Sequence, residues 1–289
     1  MQKVTLSLVV CGLLVTASVF ADSVSHHEGH GAMADKVIAD QREALANNTK
    51  GKGFGPQAPR DIDATAGSNP IIFNAAPPYT AMNLCNIHFH KNAEHKGGEF
   101  TTYAGNGDGH GYQSGYRYSG QLSKAETHAT GHEVCPSEHG GLSAGDTIEV
   151  HYVHSTAQIQ PGPTLGACLS EADKNPQLRV ETQVYVLVND KHALDFGKLT
   201  EHGVKNGLHQ ALNIPSDTGT PVQYAGSTTG PSYNEQGSPF QVSWSVRPRV
   251  AKVNIETVGA WCKGNVFKED HAHGVRNLVM NPELLSRIQ

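Results

Sequence analysis

From Gly53 onward the chain is cut into short runs, and this constrains its fold more than any other feature. Ile71-Ile72-Phe73, Leu84 to His90, Thr147 to His154, Gln183 to Asn189, Phe240 to Val246 and Lys252 to Val258 are rich in β-branched or aromatic residues. Turn-forming residues bound each of them. Runs of this length and composition read as strands. The Gly- and Tyr-rich stretch 101–121 and the Gly-, Ser-, Thr- and Pro-rich stretch 197–239 are expected to be long loops on that scaffold. Residues 33–48 instead show amphipathic helical spacing, closed by Asn47-Asn48 and Gly51. The expected fold class is mainly β, a β-rich α+β single domain around a large sheet.

Lys and Arg number 22 against 27 Asp and Glu, a net charge of −5 that argues against a nucleic-acid partner or a polybasic membrane surface. Lys3, the apolar run Val4 to Phe20 and Val19-Phe20-Ala21 before Asp22 predict a signal peptide over residues 1–21. No later run approaches the ~18 apolar residues of a spanning helix, so no membrane span is expected in the mature chain. The protein is expected to be exported, periplasmic or secreted. Cys11 leaves with the signal. Cys85, Cys135, Cys168 and Cys262 remain, an even count that reads as two disulfides in an exported chain. Three pairings are possible. Because Cys85 lies three residues before His88 and Cys135 three before Glu138, the expected pairing is Cys85 with Cys135 and Cys168 with Cys262.

Histidine is unusually abundant, at 17 residues. In Asn86-Ile87-His88-Phe89-His90, strand alternation puts His88 and His90 on one face and Phe89 on the other. In Thr147 to His154, Glu149 and His151 share a face, and His154 points the opposite way as a buried, hydrogen-bonded histidine. His88, His90 and His151 can hold one metal with a fourth position open, the catalytic arrangement of zinc. Glu149 is placed to orient an imidazole. His26, His27 and His30 lie in a polar tail.

These fragments resemble a carbonic anhydrase. The H-x-H strand, the later E-x-H-x-x-H and Ser137-Glu138-His139, with Glu138 thirteen residues before His151, resemble the alpha class. So do Gly55 to Ile62, the loop Tyr224-Ala225-Gly226-Ser227-Thr228-Thr229-Gly230-Pro231, and Val242-Ser243-Trp244. The wording from Leu84 to Gly98 and the long insertion before Glu138 resemble the delta class more closely. The resemblance implies a mostly antiparallel sheet like that of the alpha class, and Zn2+ on His88, His90 and His151. It puts Asn86 and Glu149 behind the first and third ligands, and makes Glu138 and Thr228 a gate pair, with Thr229 adjacent in a loop one residue shorter. The implied activity is that of a lyase: reversible hydration of CO2 to bicarbonate and a proton, by zinc-bound hydroxide. CO2 and bicarbonate would be the small-molecule partners. Val150, Val153, Val184, Val186 and Trp244 are the expected apolar wall. The proton-shuttle position of the alpha class is empty, since no histidine lies between residues 31 and 87. His95, His110, His128 and His132 lie in the insertion. The implied organisation is a signal peptide at 1–21, a His-rich tail and helical lead at 22–52, and a catalytic domain at 53–289.

Two other readings compete. His88-x-His90-x-x-x-Glu94 matches part of a cupin motif, but Met82 stands where its leading Gly would fall and no second motif follows. A non-catalytic periplasmic metal-binding protein would depend on residues 22–32, and deleting them would abolish its metal uptake.

Overall fold

The computed structural model describes residues 33–289. The expected signal peptide and the tail with His26, His27 and His30 lie outside the described residues. Helix α1 spans Asp35–Thr49. It is not a free lead. Leu45 packs with Val279, Leu284 and Leu285, and Arg42 Nε donates to Leu278 O at 3.2 Å.

The strands are β1 (Asn83–Lys91), β2 (Thr102–Tyr103), β3 (Tyr116–Arg117), β4 (Thr147–Ser155), β5 (Leu178–Val188), β6 (His202–Lys205), β7 (Leu208–Ala211), β8 (Val222–Ser227), β9 (Gln241–Val246) and β10 (Ala251–Asn254), with short helix α2 (Phe196–Leu199) before β6 and α3 (Ile255–Cys262) after β10. Six of them form one sheet in the order β1-β4-β5-β9-β8, with β10 also on β5. β1–β4, β4–β5 and β8–β9 are antiparallel, whereas β5 pairs in parallel with both β9 and β10. The mainly β fold class holds, around a sheet that is mixed. β9 covers the first half of the long β5 edge and β10 the second.

Alternation then sorts the two faces. Ile87, Phe89, Val150 and Tyr152 point into one core with Phe196 of α2 and Trp261 of α3. Val153, Val180, Val184, Val242, Trp244 and Val246 point into the other. In antiparallel strands register partners share a face. His88 lies opposite His151 and His90 opposite Glu149, so all four side chains emerge on the second face.

Three expectations change. Ile71-Ile72-Phe73 forms no strand: Ile72 is 91% exposed, and without a partner edge an apolar triplet stays irregular. Lys252 to Val258 is half strand and half helix, because Asn254 accepts from Glu256 N at 3.1 Å and caps α3. The stretches 101–121 and 197–239 are not mere loop, since the first holds the β2–β3 pair and the second holds β6, β7 and β8.

The disulfides are Cys85–Cys168, with Cα atoms 4.9 Å apart, and Cys135–Cys262, at 5.6 Å. The pairing expected from sequence is therefore replaced. The register of β1 shifts between Leu84 and Asn86, and Cys85 at that bulge joins the second core with Cys168. Cys135 lies in the first core against α3, beside Cys262. Which face each cysteine occupies decided the pairing. Among the described residues no helix is long and apolar enough to cross a membrane.

Candidate metal centre

His88, His90 and His151 each offer a ring nitrogen, and these lie within 4.8 Å of one another. Each ring commits its other nitrogen. His88 Nδ1 donates to Asn86 Oδ1 at 2.6 Å, and Asn86 Nδ2 donates to Gly162 O, which fixes the amide's orientation. His90 Nδ1 donates to Gly274 O at 2.8 Å. His151 Nε2 donates to Glu149 Oε1 at 2.7 Å. A neutral imidazole has one N–H, so the bare atoms are His88 Nε2, His90 Nε2 and His151 Nδ1.

Those atoms fit a metal. His90 Nε2 is buried with no hydrogen-bond partner, an arrangement that costs free energy unless something binds it. His88 Nε2 and His151 Nδ1 face each other at 3.2 Å. Ring centroids are 5.2, 5.0 and 4.8 Å apart. Metal–nitrogen bonds of about 2.0–2.1 Å at a tetrahedral angle place imidazole centroids roughly 5 Å apart. Burial, then the neighbouring imidazoles, hold the His88 pKa well below its ordinary value. Burial lowers that of His90 to about 4, against the pull of Glu94. Both rings are neutral at pH 7 and free to ligate.

Glu149 anchors a second layer. Its Oε1 also accepts from His95 Nδ1 at 2.8 Å, and its Oε2 from His95 N at 3.1 Å. His95 Nε2 accepts from Tyr224 OH at 2.7 Å. Burial works to raise the Glu149 pKa, but His95 and His151 outweigh it and keep the carboxylate ionised. His95, Glu149 and His151 also satisfy a metal-like spacing, but their contacts at 2.7–2.8 Å are N–H to carboxylate bonds that leave no room for an ion. Trp244 lies under the site, with its ring 5.1 Å from His151 and 4.9 Å from His95. Val153 shares that face, whereas Val150, expected in the apolar wall, belongs to the opposite core.

The gate residues read from sequence are not brought together. The Glu138 side chain is 87% exposed and meets His139 at 3.4 Å. Thr228 Oγ1 bonds Ser238 Oγ at 2.9 Å. Besides Glu149, the buried carboxylate beside the triad is Glu94. Its Oε1 accepts from Arg276 N at 3.1 Å, its Oε2 has no partner, and it lies 3.9 Å from both His90 Nδ1 and His151 Nε2. The signal for it was Glu94-His95, another Glu-His pair, with Glu94 only four residues past His90. Of the four histidines read in the insertion, His95 is fully buried, while His110, His128 and His132 are exposed.

One C-terminal segment wires these parts together. His273 N donates to Phe89 O and Lys91 N to His273 O, so the segment runs along the free edge of β1. It supplies Gly274 O to His90 and Arg276 N to Glu94. The Arg276 guanidinium reaches Ala58 O, Tyr233 O and Ser227 Oγ.

The sequence matches the profile of delta carbonic anhydrase over residues 79–257, well over half of the chain. The chain belongs to the delta carbonic anhydrase family. As a carbonic anhydrase it is an enzyme, which sets aside the cupin and metal-carrier readings. The matched range contains all three histidines and ends before the segment that carries Gly274 and Arg276. No curated protein matches the sequence. Solved structures with some likeness include a hyperthermostable carbonic anhydrase identified from an active hydrothermal vent chimney, at 17% identity over 80% of this chain and 87% of that one, TM-score 0.27. Another is the alpha-carbonic anhydrase from Thermovibrio ammonificans in complex with sulfanilamide, at 19% identity over 77% and 84%, TM-score 0.26. A third is the Photobacterium profundum alpha-carbonic anhydrase, at 17% over 79% and 88%, TM-score 0.26. Likeness at this level carries no residue role across to this delta carbonic anhydrase.

Proposed function

We propose that this carbonic anhydrase hydrates CO2 reversibly to bicarbonate and a proton, with Zn2+ held by His88 Nε2, His90 Nε2 and His151 Nδ1. One observation carries the reading: three bare imidazole nitrogens converge, each fixed by an acceptor on the far side of its ring. When bound, zinc supplies hydroxide at neutral pH by acidifying water. The chain's residues do the rest. Three neutral imidazoles leave the ion's charge undiminished, and Glu149 raises the basicity of His151. Glu94 Oε2 is the buried carboxylate oxygen free to accept a hydroxyl proton, and it takes the role first read for Glu138. Thr228, with Thr229 beside it, is the proposed hydroxyl donor. A hydroxyl whose proton points at a carboxylate presents its lone pairs to the reacting oxygen and orients it. Val153, Val242 and Trp244 keep water from the wall where apolar CO2 rests. Two disulfides fit an oxidising compartment, and with the signal-like first 21 residues they favour export, to the periplasm or beyond.

Metal analysis and a CO2 hydration assay on the purified full chain test the reading. Expected are one tightly held zinc per chain and hydration that disappears on stripping and returns with zinc. His151→Ala should lose both metal and rate. A zinc-loaded chain that does not hydrate CO2, or a His151→Ala chain with full zinc and full rate, overturns it.

A further inference from the structure

Two histidines outside the triad repeat its construction. His271-Ala272-His273 has the same spacing as His88-Phe89-His90. Each imidazole is backed by a carboxylate: His273 Nε2 donates to Glu269 Oε2 at 2.6 Å, and His271 Nδ1 to Asp270 Oδ1 at 2.5 Å. His273 Nδ1 and His271 Nε2 are therefore the bare nitrogens, prepared as carboxylate-backed metal ligands are. The ring centroids are 5.9 Å apart. Two imidazoles on one metal, at about 2.0–2.1 Å per bond, have centroids roughly 5–6.4 Å apart depending on the bond angle.

Position adds a second argument. The His273 ring lies 5.5 Å from that of His88 and 5.8 Å from that of His90. The side chains of His271 and His273 are 39% and 43% exposed, so solvent reaches both. Glu269 is held in place by Asn265, which donates to Glu269 O at 2.7 Å and accepts from Glu269 N at 3.1 Å. Two carboxylates behind the two rings bring negative charge to the cluster, suited to a dication.

We propose that His271 and His273, backed by Asp270 and Glu269, form a second and weaker site for a divalent transition-metal ion, at the outer edge of the triad, from which the ion is handed inward. The hand-over rests on the triad being the tight site. With two ring ligands against three, the outer site releases its ion more readily, and one ring separates it from His88.

Titration of the metal-stripped full chain with Co2+, followed by equilibrium dialysis and visible absorption, tests both parts. The wild type should bind two equivalents, one tight and one weak. His151→Ala should lose the tight one and keep the weak one. His271→Ala together with His273→Ala should do the reverse. Because His273 touches ligand rings, His271→Ala alone is the decisive variant. It should weaken the second equivalent by about tenfold or more and slow zinc uptake by the stripped chain, with unchanged final occupancy and circular dichroism. A single equivalent in the wild type overturns the site. So does a second equivalent retained in the double variant, which would place it on residues 22–32 or elsewhere. Unchanged uptake in His271→Ala overturns the hand-over. A tight equivalent retained in His151→Ala overturns the triad reading instead.

Discussion

Glu94 and Glu138 each precede a histidine, and their surroundings separate them. Glu94 is fully enclosed beside two of the ligands, with one oxygen unpaired, whereas Glu138 stands in solvent. Glu94→Gln should therefore keep zinc and lower kcat for hydration by roughly 10²–10³, the usual cost of removing one positioned hydrogen-bonding group. Glu138→Gln should stay within about twofold of wild type, since substitutions of isolated surface groups act weakly. Equal losses in the two variants would return the gate role to Glu138. His154 gives a pH prediction. It is buried on the opposite face, donates from Nδ1 to Tyr152 O at 3.0 Å, and leaves Nε2 unpaired. Burial lowers its pKa to about 3, against the Tyr152 hydrogen bond. The unfolded chain, titrating near 6.5, then binds more protons than the folded chain between about pH 6.5 and 3, so stability falls as pH falls through that window. Denaturant melts at pH 7 and pH 4 should show His154→Gln losing less stability on acidification than wild type, by up to a few kcal/mol. An identical pH dependence in the two proteins would contradict this.

The strands deliver pairs of ligands, and the disulfides fix what lies next to them. Cys85–Cys168 closes a loop of 83 residues and Cys135–Cys262 one of 127. Bridges of this kind contribute about 2–4 kcal/mol each, chiefly by restricting the unfolded chain. Peptide mapping without reduction should recover these two linkages and no free thiol. Cys135→Ser with Cys262→Ser should lower stability by that amount and still bind zinc, because this bridge lies in the core away from the ligand face. Cys85–Cys168 sits at the β1 bulge beside Asn86. Cys85→Ser with Cys168→Ser should therefore also weaken zinc binding, by about tenfold, if the His88–Asn86 bond loosens. Zinc affinity unchanged in that second variant would show that the bulge holds without its bridge.

At the scale of the whole molecule, the chain closes on itself to finish the centre. The C-terminal stretch beyond residue 270 supplies Gly274 O and Arg276 N to the site, then packs Val279, Leu284 and Leu285 against Leu45 of α1. Leu45→Ala should cost about 2–4 kcal/mol of stability, lowering Tm by roughly 2–4 °C per kcal/mol, with zinc content and hydration at 25 °C unchanged. A parallel loss of zinc would mean that the helix supports the centre through the C-terminal stretch. Periodicity of two was enough to put His88 and His90 on one face and His151 with Glu149 on another strand's face, because alternation is a local property of extended backbone. The same local rule made the fold mainly β and set His154 opposite His151. Local rules end where contacts between distant residues begin. The cysteine pairing depended on a bulge and on which core each sulfur entered. The choice of Glu94 over Glu138 depended on burial. The acceptor for His90 is a backbone carbonyl 184 residues away. Every residue carries such a carbonyl, so only the tertiary structure could decide which one meets the ring.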